Sequence, residues 1–189
     1  MSTTTTATSP LTGTYSIDPN HSRIGFVARH AMVTRVRGSF REFDGCGYFD
    51  ADDPSRSTLE LTIKAASIDT GNADRDGHLR SNDFFDMERY PEITFASTEV
   101  KRVDETTYRV TGDLAIKGVT NAVVVDFEFS GAAVDPYENQ RVGFEGSTTI
   151  SRKDWGVNWN AALDAGGVLV GDKVTLELDV SAIKTSDTR

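Results

Sequence analysis

Apolar and polar residues alternate with a period of two along most of this 189-residue chain. Ile24, Phe26, Ala28 and His30 share one parity, and Arg23, Gly25, Val27 and Arg29 the other. The rhythm returns at Leu59, Leu61, Ile63 and Ala65, at Tyr108, Val110, Gly112, Leu114 and Ile116, and at Val123, Val125, Phe127 and Phe129. It closes with Val142, Phe144, Gly146, Thr148 and Ile150, then Val174, Leu176, Leu178 and Val180. Each run has one apolar and one wet face, which predicts antiparallel strands around a single interior rather than a parallel α/β core. Residues 52–55, 103–106, 117–118 and 135–139 carry the Asp, Pro, Gly and Asn that make turns between them. About eight strands are expected. Closure into an up-and-down barrel would remove their edges, although a two-sheet sandwich produces the same alternation.

Residues 67–95 break the rhythm. Gly71-Asn72-Ala73-Asp74 resembles the start of a helix, with Asn72 or Asp74 able to cap free amides. A short helix over 74–82 would place Arg75, His78, Leu79 and Asn82 on one face. Phe84 and Phe85 follow, and Pro91 ends the excursion before the strand at 93–95. A lid over an apolar cavity, with polar groups at a ligand head, has this composition. So does a structural plug in which Arg75 pairs with Asp76, His78 satisfies a carbonyl and the two Phe fill one barrel end.

The inward parity is rich in small residues: Ala28, Gly38, Gly45, Gly47, Ala65, Gly112 and Gly146. Glycine permits bulges and tight coiling. It also leaves space for a guest between the rings of Phe26, Phe40, Phe95, Phe127 and Phe144. Eight strands can either fill with side chains or enclose one ligand.

Charge narrows the partners. The formal net charge of −9 argues against nucleic acid, which needs clustered Lys and Arg, and against general attraction to anionic membranes. No run is long enough to span a bilayer, so stable membrane insertion is not expected. Residues 1–10 lack the basic start and apolar stretch of a secretory signal, giving a cytoplasmic expectation, and their Thr-rich composition reads as a disordered tail. Cys46 is the only cysteine and is expected as a small buried or half-buried thiol.

Little in the sequence points to catalysis. His21, His30 and His78 lie on three separate elements and lack the close spacing that marks metal ligands; no metal or other cofactor is expected. Phosphate loops, Cys pairs and Gly-x-Ser-x-Gly elbows are missing. The enzymatic alternative makes His78 a general base, oriented by Asp76 or another acid, in an isomerase or hydrolase of apolar substrates.

Several segments in order match one family: residues 15–22 (Tyr-Ser-Ile-Asp-Pro-Asn-His-Ser), Phe26 and His30, 38–40 (Gly-Ser-Phe), the 67–95 excursion, 112–120 and 150–156. The chain thereby resembles the YceI family of lipocalin-like, polyisoprenoid-binding barrels, over residues 12 to 184. The resemblance implies an all-β, antiparallel, up-and-down, lipocalin-like closed barrel with a short helical lid insertion, flanked by tails at 1–11 and 185–189. It implies non-enzymatic binding, storage or transport of a long apolar chain such as a polyisoprenoid, isoprenoid quinone or fatty amide. Candidate ligand-binding residues are Phe26, His30, Phe40, Leu61 and Ile63 from the first half of the wall. The insertion offers His78, Leu79, Asn82, Phe84 and Phe85. Phe95, Leu114, Phe127, Phe144 and Trp155 complete the set. Many relatives are exported, and members also occur near respiratory and stress functions. A homodimer through an exposed strand is compatible with the long strands and with Val124 on the wet face.

Overall fold

A computed structural model describes residues 8–189, and the expected tail at 1–7 lies outside the described residues. The wall is an antiparallel barrel of eight staves, three of them broken. The first stave is β1 (Gly13–Ile17) continued by β2 (Arg23–His30), and the second is β3 (Thr34–Phe40) continued by β4 (Phe43–Phe49). The third joins β5 (Thr58–Lys64) to β6 (Ile68–Asp69) through a single 3₁₀ turn. Five unbroken staves follow: β7 (Glu92–Arg102), β8 (Thr107–Ile116), β9 (Val119–Val134), β10 (Gln140–Ser151) and β11 (Val170–Ser186). Each pairs with its neighbour in sequence. β11 closes the ring by pairing Ser186–Ala182 with β1 and Asp179–Val170 with β2. Closure leaves no long free edge, and this decides the barrel over the sandwich.

One seam remains. β7 pairs with β5 only from Glu92 onward, and among the described residues β6 pairs only with β3. The 70–91 excursion fills that gap. Its helix α1 (Ala73–Arg80) starts where Asn72 accepts the Arg75 amide at 2.9 Å. Arg80 then stands in for the missing strand, donating through Nε to the Ala66 carbonyl and through its guanidinium to that of Ile68. Asp76 is buried and accepts both the amide and the hydroxyl of Thr70, whose Oγ1 and carbonyl also take the Arg75 guanidinium. Arg75 and Asp76 therefore brace the excursion through Thr70. The helix stops at Arg80, two residues earlier than the spacing predicts, because the Ser81 hydroxyl and amide both turn back onto the His78 carbonyl. Asn82 consequently lies beyond the helix and is exposed.

Three other expectations need correction. Cys46 is exposed, because Gly45 and Gly47 take the inward parity of β4. Residues 9–11 are not a loose tail: the Ser9 amide binds Asp52, the Pro10 carbonyl accepts from Gln140 and Lys184, and Leu11 packs beside Tyr15 and Val142. The last stave runs through Ser186, past the boundary expected at 184.

Candidate ligand cavity

Inside the barrel lie two apolar lobes. The larger has a volume of about 190 Å³ and the smaller about 120 Å³. One water needs roughly 10–15 Å³ of such space, so neither lobe is a packing defect. Ile17, Leu59, Phe127 and Val180 line both, so the lobes meet at a waist of four residues.

Most of the residues expected at a ligand site converge here. Phe26, Phe40, Leu61 and Ile63 line the larger lobe from the first three staves, and Phe95, Leu114 and Trp155 from the opposite side. Leu79, Phe84 and Phe85 reach it from the excursion. Phe127 stands at the waist, and Phe144 lines the smaller lobe with Phe49 and Tyr108, whose rings stack edge-on to one another.

Three expected residues do not line it. His30 ends β2 beyond the cavity rim and is exposed, since the wall contacts of that stave stop at Ala28. Asn82 is exposed, and its backbone carbonyl accepts from Lys117 Nζ. His78 is half-buried behind the wall, its Nε2 2.8 Å from Asp83 Oδ2 and its ring edge-on to Phe84. Asp83, not Asp76, is the acid beside this imidazole.

The inward glycines work differently from either expectation taken alone. A Cβ at Gly146 would stand 2.7 Å from Phe127 Cδ1, and one at Gly38 would collide with the Phe26 ring. These aromatic rings lie down over glycines of the neighbouring stave. The space released by each glycine is taken by the protein's own ring, which is thereby held against the wall and leaves the barrel centre open.

A YceI-like domain model matches residues 15–182. The chain belongs to this family. It is 45% identical over 151 residues to the UPF0312 protein plu2095 of Photorhabdus laumondii, covering 79% of this chain and 78% of that one. A UPF0312 protein of Staphylococcus epidermidis is 42% identical over 164 residues, covering 86% and 93%. Among solved structures, BcnA of Burkholderia cenocepacia superposes with a TM-score of 0.77 at 25% identity, over 87% of this chain and 98% of that one. A polyisoprenoid-binding domain from Saccharophagus degradans, implicated in plant cell wall breakdown, shares the fold at a TM-score of 0.68 and 14% identity, over 90% and 98%.

In this YceI-like barrel the α1 end of the cavity is closed by two segments. One is the excursion; the other is the connection from β10 to β11. The second begins with a 3₁₀ turn, Arg152–Trp155, ended by Gly156 at φ 71°. Trp155 is only 3% exposed and donates its indole N–H to the Leu114 carbonyl at 2.8 Å. Arg152, 6% exposed, donates to the carbonyls of Val157, Trp159, Val170 and Gly171, pinning the whole connection from beneath. Its burial pulls the guanidinium below its ordinary pKa, with the Asp172 charge opposing that shift. Four carbonyls hold this cation, so it braces the wall more than it offers a free charge to the lumen.

Trp159 was not anticipated from sequence. Its ring lies 4.5 Å from that of His78 and 5.4 Å from that of Phe84, joining the two closing segments. The available signal was a second tryptophan between Asn158 and Asn160, in a turn-rich segment with no periodicity to place it. Apart from Arg152, no lining residue among those described is Asp, Glu, His, Lys or Cys. The cavity can therefore exclude water and shed apolar surface from it. The imidazole–carboxylate pair His78 and Asp83 lines neither lobe.

Proposed function

We propose that this protein binds, and thereby stores or carries, a long-chain apolar molecule without transforming it, the chain lying through both lobes. Polyisoprenoids, isoprenoid quinones and fatty amides have the right chemistry. The observation that carries this reading is the two-lobed apolar interior, together with family membership and a structural neighbour described as polyisoprenoid-binding. Apolar cavities of this kind stay dry and accept apolar guests. Each buried CH₂ contributes about 0.8 kcal/mol. Forty carbons would bring roughly 30 kcal/mol, well past the ~18–21 kcal/mol at which affinities saturate. Ordering a flexible tail consumes the excess, so affinity rises with chain length and then levels off.

A turnover reading would need His78 and Asp83 to reach the guest, and His78 is not among the residues that line either lobe. The test is organic extraction of protein purified without detergent, followed by mass spectrometry. A stoichiometric long-chain lipid is expected. Its absence, with no uptake of a hydrophobic fluorophore by the extracted protein, would overturn the proposal.

A further inference from the structure

The net charge of −9 is unevenly spread. Residues 19–41 contain five arginines and no acid. Arg23 and Arg37 share one carboxylate, Glu177, and Arg41 binds Asp69. Arg29 and Arg35 have no acidic partner among the described residues, yet the register of β2 with β3 sets them directly opposite each other. Like charges so placed repel, and the one hydrogen bond either side chain makes is from the Arg29 guanidinium to the Val33 carbonyl at the tip, at 3.3 Å, among the described residues.

The turn that joins these strands is equally unusual. The Val33 amide closes it onto the His30 carbonyl at 3.1 Å, with Ala31 and Met32 both in the left-handed region at φ 50° and 62°. Asn and Gly take such positions without strain, and a hairpin turn normally uses them. Here the strained position presents a methionine that is 63% exposed, followed by Val33 at 77%. The tip leans on the β10–β11 connection, where the Ala31 amide donates to the Leu169 carbonyl and exposed Val168 stands alongside. That connection carries one acid between 156 and 171, Asp164. Cavity lining begins at Ala28, three residues before Ala31, and at Val170 of β11, which pairs with His30. An apolar point flanked by two arginines without an acidic partner among the described residues thus stands on the cavity rim.

We infer that this rim docks the protein onto an anionic lipid surface, Met32 and Val33 entering the interface while Arg29 and Arg35 face the head groups. It rests on reading the cavity as a lipid site, because docking there sets the cavity rim against the bilayer from which a guest would come. Charge complementarity and the amphipathic layering favour a bilayer over an acidic protein, which would not reward a methionine in a strained turn that stays exposed while its sulfur rests over Gly167.

The test is sedimentation of the full chain with vesicles of phosphatidylcholine alone or with 30% phosphatidylglycerol, at low and high salt. Binding is expected only to the anionic vesicles and is expected to fall with salt. Each surface arginine contributes about fivefold in partitioning, so R29Q/R35Q should lose roughly thirtyfold. That pair relieves repulsion and is expected to fold. M32N suits the left-handed turn and with V33S should also weaken binding. Uptake of a hydrophobic fluorophore in vesicle-free solution should persist in all these variants, separating failure of docking from failure of the cavity reading. Equal binding to both vesicle types, or binding unaltered in the variants, would overturn the inference. No vesicle binding combined with arginine-dependent retention on polyglutamate would also overturn it, assigning the rim to an acidic protein.

Discussion

The imidazole of His78 meets the indole of Trp159 edge to face, with ring centroids 4.5 Å apart and planes at 82°. The two residues belong to segments separated by the whole of β7 to β10, and both segments close the same end of the cavity. Phe84 packs against both rings, so three aromatic side chains form the latch. Phe84 also lines the larger lobe, so the latch stands directly against the cavity at that end.

Removing the latch should therefore speed exchange more than it changes stability. An aromatic pair of this geometry contributes about 0.5–1.5 kcal/mol beyond its buried area, so W159A should release a bound fluorophore about two- to tenfold faster. Stopped-flow displacement measures this. An unchanged release rate would mean that the guest leaves elsewhere.

The structure also separates substitutions that fill the cavity from those that break its wall. Ala28 lines the larger lobe, so A28W should abolish fluorophore uptake while costing about 1–3 kcal/mol of stability through overpacking. Gly112 looks equivalent in sequence but is not: a Cβ there would stand 2.6 Å from the Ala96 carbonyl and collide with the Phe95 ring. G112A is thus expected to lower the thermal midpoint rather than block the lumen, and denaturant titration beside uptake distinguishes the two outcomes.

Trp155 supplies a third test. Its indole N–H satisfies a buried backbone carbonyl, that of Leu114. W155F keeps most of the ring volume but leaves that acceptor unpaired, and about 1–3 kcal/mol of stability should be lost. Urea unfolding measures the loss, and a change below a few tenths of a kcal/mol would show that the bond is dispensable.

How far the sequence foretold this architecture depends on what each signal measures. Alternation reports which parity faces inward, and it placed Phe26, Leu61, Leu114 and Phe127 on the lumen correctly. It says nothing of where a strand runs past the cavity, so His30 kept its parity but not its place on the wall. Helical spacing identified the insertion, yet the stop was set by Ser81 turning back onto His78, a local hydrogen bond that periodicity does not register. The staves broken at 18–22, 41–42 and 65–67 are a consequence of closure, as is the task of Arg80 at the unpaired β6 edge. Likewise the resting of Phe127 on Gly146 depends on cross-strand register, which no single segment contains.

Acid should loosen one corner of the barrel. Arg141 donates to Asp18 and to Asp135, each at 2.7 Å, and His21 also contacts Asp18. The hydrogen bond from Arg141 is the main reason that both carboxyls are held below the ordinary value of 3.8. Groups with depressed folded pKa values stabilise fully above the unfolded value, and lose that contribution as pH falls through the folded one. The thermal midpoint should consequently decline from about pH 4 downward. D18N/D135N should be less stable at pH 7 and show a shallower acid limb. Parallel acid limbs for the two proteins would contradict this assignment.

The most direct measurement is nuclear Overhauser contact between an unlabelled prenyl chain and methyl-labelled protein. Cross-peaks are expected to the methyls of Leu61, Leu114 and Leu176 in the larger lobe, Leu59 and Val180 at the waist, and Val110 and Val142 in the smaller lobe, and none to exposed Val103, Val119 or Val124. A saturable prenyl ligand that touches only the surface valines, leaving every inward methyl silent, would contradict the claim that the barrel holds its guest inside.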